Sequence, residues 1–154
     1  MNNRNALTPV SYVVIRDRHR VLLQRRQGSG YLDNYWSNAA AGHVEAGESA
    51  IQAAVREAKE ELGIELDAMQ LKPLTTIHRP QCGNETSGGR IDFFFECTAW
   101  TGAPQIMEPH KASALTWFDL GQLPGKVVPH ERYILERLGN GLPAIIAANS
   151  LMAQ

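Results

Sequence analysis

Two apolar runs, Val10 to Ile15 and Val21 to Gln24, flank the polar turn Asp17 to Arg20 and predict a pair of strands. Gln27 to Tyr35 is a polar, glycine-containing stretch that predicts a loop, with Trp36 leading out of it. After Ser49 the period lengthens. Ile51, Val55, Ala58 and Leu62 recur at i, i+4, i+7 and i+11 and predict the core-facing stripe of a helix, with the acidic residues projecting elsewhere. Ser49 and Gln52 form a capping box, Ala50 to Leu62 are nearly all strong helix formers, and Gly63 stands where a left-handed C-terminal cap belongs. Leu71 to His78 predicts a strand, Pro80 to Gly89 a long turn, Arg90 to Trp100 a clear strand and Leu115 to Phe118 a short one. His130 to Leu138 predicts a second helix ending at Gly139, and the tail Gly141 to Gln154 carries no pattern and is expected to be flexible. Strands mixed around two helices, without regular βαβ alternation, imply an α+β mixed sheet between helices.

Composition narrows the function classes. With 154 residues, 44% hydrophobic and 20% charged, residues 1–154 are expected to form a single globular domain. The net charge of −1 provides no basic field to hold a nucleic acid polymer or an anionic membrane. The start MNNRNALTPV lacks an apolar signal region, and no run approaches the roughly 18 apolar residues of a membrane span, so a cytoplasmic protein is expected. Cys82 and Cys97 show no CxxC spacing and read as ordinary thiols of a reducing compartment.

The candidate chemistry lies in REAKEE. Glu57, Glu60 and Glu61 fall at i, i+3 and i+4, one helix face, where three carboxylates come within reach of one or two hard cations. A Glu-rich face is often merely solvated. Here, however, Glu60 and Glu61 occupy the last helical turn, where the helix dipole disfavours anions by roughly 0.3–1 kcal/mol each, and a bound cation would reverse that penalty. Beyond this segment, Gly42, Glu48, Arg56, Glu57, Glu60, Glu61 and Gly63 stand at the spacing G-x5-E-x7-R-E-x-x-E-E-x-G, with Ala58 and Ile64 at two further apolar positions. Seven fixed identities arise by chance with odds on the order of 10^-8.

This pattern resembles the Nudix box, the signature of the Nudix hydrolase superfamily, and the chain is identified as a MutT-like member. The resemblance implies an α/β fold of the Nudix-type α/β/α sandwich. It also implies a Mg2+- or Mn2+-dependent diphosphatase cleaving a nucleoside diphosphate linked to another moiety, with a nucleotide or other small diphosphate as substrate. Gly42, through its carbonyl, and Glu57, Glu60 and Glu61 would be the metal ligands. Arg56 and Glu48 would brace the loop before the helix, and Gly42, Gly47 and Gly63 would supply backbone bends. Glu57, Glu60, Arg56 and Glu108, the last in the loop MEPHK, are the catalytic candidates, with Glu96 as another acid whose facing is open. Arg25 and Arg26, ending LLQRR, and Arg90 are the substrate-binding candidates, against the plainer reading of exposed strand-end cations. Tyr31, Tyr35, Trp36 and Trp117 are available to stack on a base, Trp117 being better suited to the core. His43, His78 and His110 lack zinc spacing. The family includes homodimers. It also includes two other classes: inactive Nudix-fold binding or regulatory modules, which usually lose a box glutamate, and isopentenyl-diphosphate isomerases, which use a cysteine just ahead of the box. This chain keeps every glutamate and has Ala40 and Ala41 in that stretch. It reads SNAAAG where many nucleotide-cleaning members read LPGG-like, so the reaction is better specified than the nucleotide.

Overall fold

The computed structural model describes residues 6–80 and 88–148. In chain order the elements are β1 (Leu7–Asp17), β2 (Arg20–Arg26), β3 (Trp36–Asn38), β4 (Ala40–His43), α1 (Ala50–Leu62), β5 (Lys72–Arg79), β6 (Gly89–Cys97), β7 (Ala112–Asp119), α2 (Pro129–Glu136) and β8 (Ile145–Ala147). The eight strands make one mixed sheet in the order β3-β2-β1-β6-β5-β8, with β4 also on β1 and β7 on β2. The expected mixed sheet with two helices is what forms.

β1 is the spine, and its pairing creates the opening that holds the site. One edge runs parallel to β6 from Leu7 to Ile15. The other edge is shared: Val10–Val13 pair with β4, while Arg16 and Asp17 pair with β2. Where one edge serves two strands, those strands must diverge, and Gln24 and Arg26 of β2 face Ala41 and Gly42 of β4 across the resulting cleft. Strand pleating sends Val13 and Ile15 to the α1 side, with Ala54, Ala58 and Leu62, and Val10, Tyr12 and Val14 to the α2 side, with Ile134 and Leu135. Burial on both faces is why Val10 to Ile15 reads as a continuous apolar run rather than an alternation.

The helix stripe differs from the expected one. Ile51 is 37% exposed and Val55 half-buried, whereas the buried residues of α1 are Ala53, Ala54, Glu57, Ala58 and Leu62. The acidic residues do not all project elsewhere, because Glu57 lies inside the packed arc. Small side chains decide this: the alanines let α1 approach β1 so closely that the Ser11 hydroxyl donates to the Ala50 carbonyl at 2.6 Å. At the ends, the Ser49–Gln52 capping box and the left-handed Gly63 (φ 69°) are present as read.

Three strands have no signature in the sequence. β3 and β4 are three and four residues long, contain small residues, and are held by pairing with β2 and β1. β8 lies in the tail expected to be flexible. It pairs parallel with β5, and Leu142 and Ile146 pack on the α2-side core, so the tail is fixed in the sheet as far as Ala147. The strand expected to reach Trp100 ends at Cys97, after which the chain turns and Thr101 bridges to Glu65. Most of the turn expected at Pro80 to Gly89, with Cys82, lies outside the described residues.

Candidate active site

Arg56 organises the loop between β4 and α1. Its Nε donates to Glu48 Oε1 at 2.8 Å and Nη2 to Oε2 at 3.0 Å, a two-pronged fork, while Nη2 also reaches the His43 carbonyl at 3.0 Å. Glu48 Oε2 in turn accepts from the Glu45 N–H at 2.9 Å. These contacts hold Glu48 below the usual carboxylate range, the hydrogen bond from Arg56 being the main cause. The third nitrogen, Nη1, faces the acids: Glu57 Oε1 at 2.7 Å and Glu60 Oε2 at 3.2 Å.

Glu57 and Glu61 are one turn apart and both turn toward β4. A Cβ on Gly42 would overlap the Glu57 carboxyl, so position 42 must be glycine for Glu57 to lie there. Burial raises the Glu57 pKa despite the Arg56 contact. Glu61 is pushed up to about 8, first by burial and then by the Glu57 charge, with Glu108 adding to the shift and Lys111 opposing it. Its hydrogen bonds are long: Glu61 Oε2 accepts from the Ala41 N–H and from Gln24 Nε2, each at 3.3 Å. Glu108 is brought to the same place by the loop before β7 and pairs with Lys111 at 3.1 Å. Among the described residues no three acids, histidines or cysteines are already gathered around one point, since Glu57 and Glu60 both turn to Arg56. The donors nonetheless suit a hard divalent cation: they are carboxylate oxygens, two of them buried and reluctant to ionise without a positive partner.

A cavity of about 360 Å³ opens beside these acids. Its acidic end has Glu61, Gly42 and Lys111, and its other end has Arg26, Arg79 and Arg90, with Tyr12, His130 and Glu131 in the wall. Glu131 is almost fully enclosed. Its Oε1 accepts from the Asn38 N–H at 2.7 Å and from Asn38 Nδ2 at 2.9 Å, and burial lifts its pKa to about 7. His130 is pulled down to about 3 by burial and then by the nearby arginines, so it is neutral at ordinary pH; its Nε2 lies 3.2 Å from the Tyr12 hydroxyl.

Several expected site residues separate here. Strand alternation puts Arg26 in the cavity wall and leaves Arg25 exposed and outside it, which corrects the pairing of the two. Arg90 lines the cavity. Glu96 is buried against Arg16 at 3.1 Å, away from the cavity lining, so it faces neither the site nor open solvent. Glu60 is half exposed at the edge of the acid group. Tyr31 is 61% exposed at the cavity rim beside Arg26, whereas Trp36 packs edge-on against Phe118, and Trp117 stacks on Trp100, both half-buried against the α1-side core. His43 touches the cavity and His78 is exposed on β5. Gln24, Arg79, Lys111, His130 and Glu131 were not singled out from the sequence; Gln24 and Arg26 share a strand face, which would have pointed to the first of them.

The NUDIX domain family model matches residues 7–138. The MutT NUDIX hydrolase of Burkholderia pseudomallei is 26% identical, covers 86% of this chain and 98% of its own, and superposes with a TM-score of 0.76. The NUDIX domain of Shewanella oneidensis NrtR, solved with ADP ribose, shares the fold at 18% identity and a TM-score of 0.65, over 86% of each chain. Isopentenyl-diphosphate Delta-isomerase 2 of Aromatoleum aromaticum is 28% identical over 124 residues, covering 79% of this chain, and the chain spans 64% of that relative's length.

Proposed function

Because the chain belongs to the Nudix family, whose members are generally hydrolases of phosphoric anhydrides, we propose that it is a divalent-metal-dependent hydrolase of the diphosphate linkage in a nucleoside diphosphate joined to another moiety. The observation that carries this reading is the close seat of Glu57 against Gly42 beside a second acid, Glu61, which is half-buried and accepts only long hydrogen bonds. In this reading Glu57 and Glu61, with Glu60 and the Gly42 carbonyl, hold Mg2+ or Mn2+, which supplies neutralisation of phosphate oxygens and a more acidic water. Arg56 fixes Glu57 from one side and Glu48 from the other, so the loop carrying Gly42 and the helix carrying the acids keep one spacing. Lys111, at the acidic end, is placed to meet phosphate oxygens of the scissile diphosphate. Water attacks one phosphorus, a new O–P bond forms as the bridging P–O bond breaks, and Glu108 takes the proton of the water. A nucleoside monophosphate or similar product leaves with the remainder.

The isomerase relative does not favour a second reading. Ala40 and Ala41 occupy the stretch ahead of Gly42, and Cys97 is buried in the α1-side core with its thiol turned to the Ala99 carbonyl. The test is a panel of nucleoside triphosphates, ADP-ribose, dinucleoside polyphosphates, nucleotide sugars and non-nucleotide diphosphates, assayed with Mg2+ and with EDTA. Release of monophosphate products with Mg2+ and none with EDTA is expected, and full activity in chelator would exclude the mechanism. Glu108→Gln should lower kcat strongly with little change in metal affinity. Unchanged turnover would transfer the base role to a box glutamate such as Glu57.

A further inference from the structure

The two ends of the cavity carry opposite charge, and only the acidic end is used by the proposed reaction. At the other end, Arg79 of β5 and Arg90 of β6 stand directly opposite each other in the antiparallel register. Like charges at directly opposed positions are destabilising, so the arrangement needs compensation. Asp92 provides part of it. Fully buried, it pairs with Arg79: Nη2 donates to Oδ1 at 3.1 Å, and Nε lies 2.7 Å from Oδ2 without the alignment of a hydrogen bond. Arg90 has no acidic partner among the described residues, and Arg26 reaches only neutral oxygens, the Tyr31 carbonyl at 3.2 Å and the Ser29 hydroxyl at 3.0 Å. Both line the cavity without a direct ion pair among the described residues, Arg90 exposed and Arg26 half-buried. Arg90 lies opposite Thr8 near the start of β1 and beside Arg79, whereas Glu61 is held at Ala41, opposite Tyr12 further along the strand. The two poles are thus electrostatically distinct regions of one cavity. A like-charged pair that one buried acid compensates only in part is a place where an anionic ligand would supply the rest.

We propose that Arg26, Arg79 and Arg90 bind a phosphate monoester borne on the substrate outside its scissile diphosphate, so that the enzyme selects diphosphates with a further phosphorylated arm. This rests on the reading of the acidic end as the cleavage site. Planar guanidinium forks match phosphate oxygens in pairs, and the Tyr12 hydroxyl lines the same wall.

The experiment uses two matched probe pairs: ADP-ribose with and without a ribose 2′-phosphate, and coenzyme A with and without its 3′-phosphate. Binding is measured by calorimetry in EDTA at low and at physiological salt, and turnover separately with Mg2+. In at least one pair the phosphorylated member should bind the native protein roughly tenfold more tightly or better, with the advantage shrinking as salt rises. The ratio should fall to near one in Arg90→Gln and persist in Arg18→Gln, a charge loss in the β1–β2 turn. With Mg2+ the same preference should appear in KM rather than kcat. Equal affinity within both pairs for the native protein would overturn the proposal. So would an equal loss for both members in Arg90→Gln, which would place the scissile diphosphate itself on the arginines. If the affinity ratio holds in EDTA while no diphosphate is turned over with Mg2+, the anion subsite stands and the hydrolase reading fails.

Discussion

Two acids lining this cavity, the half-buried Glu61 on α1 and the buried Glu131 on α2, have been treated in opposite ways by the fold. Glu131 sinks its charge into Asn38, whose backbone and side-chain nitrogens both donate to one oxygen within 2.9 Å. Glu61 receives only two contacts of 3.3 Å and has Glu57 and Glu108 as acidic neighbours. Burial raises both pKa values, to about 7 and about 8. The difference lies in the partners: the first acid is completed by the protein and ties α2 to β3, while the second accepts only long hydrogen bonds, as the proposed cation site requires. A buried acid is therefore read through its partners, and its displacement from the ordinary pKa alone would not tell the two apart.

The largest expected effect follows from neutralising an acid proposed to hold the cation. Glu61→Gln or Glu57→Gln should cut turnover by orders of magnitude while making the protein in EDTA more stable. The pH dependence has a definite sign. A carboxyl whose folded pKa is raised costs nothing below its unfolded value and costs most above its folded value, so the gain from Glu61→Gln should grow as pH rises from about 4.5 through about 8. Thermal melts across that range check it; a variant that loses stability and keeps turnover would make Glu61 a structural acid like Glu131.

Truncating Glu131 should act in the opposite sense. Glu131→Ala leaves the Asn38 nitrogens without their acceptor and should cost about 2–5 kcal/mol in chemical denaturation. Glu131→Gln keeps an acceptor oxygen, and its stability relative to the native protein should rise as pH passes through about 7. A neutral Glu131→Ala would erase the contrast.

Arg56 tests the link between loop and helix. Arg56→Lys keeps the charge and loses the fork to Glu48, so turnover should fall by about tenfold and amide exchange in residues 43–49 should quicken. Wild-type kinetics would remove the brace from the mechanism. The smallest effect is expected at the helix stripe: Ile51→Ser should shift stability by under about 0.5 kcal/mol, whereas Leu62→Ala, fully buried, should cost about 2–5 kcal/mol.

That last pair marks how far the sequence could be read. The 3.6-residue period put α1 in the right place, and the Ser49, Gln52 and Gly63 signals set its ends, because caps act through bonds to neighbouring residues. Which face is buried depends on what approaches it, and the approach of β1 and β4 is a long-range fact that favoured Ala53 and Ala54 over Ile51. β4 and β8 escaped for the same reason, each being a short segment made into a strand by its partner. The acids of REAKEE and the Arg56–Glu48 spacing were legible because helical geometry fixes them locally. Lys111, Arg79 and Glu131 join the cavity through folding of distant segments, and no local pattern announces them.

The central claim, that Glu57 and Glu61 are kept for a cation, is tested most directly by calorimetric titration of Mn2+ into the native protein and into Glu61→Gln, without substrate. The account predicts saturable binding with proton release at neutral pH in the native protein, and at least tenfold weaker binding in the variant. Equal affinity in the two proteins, or none in either at millimolar Mn2+, would contradict it.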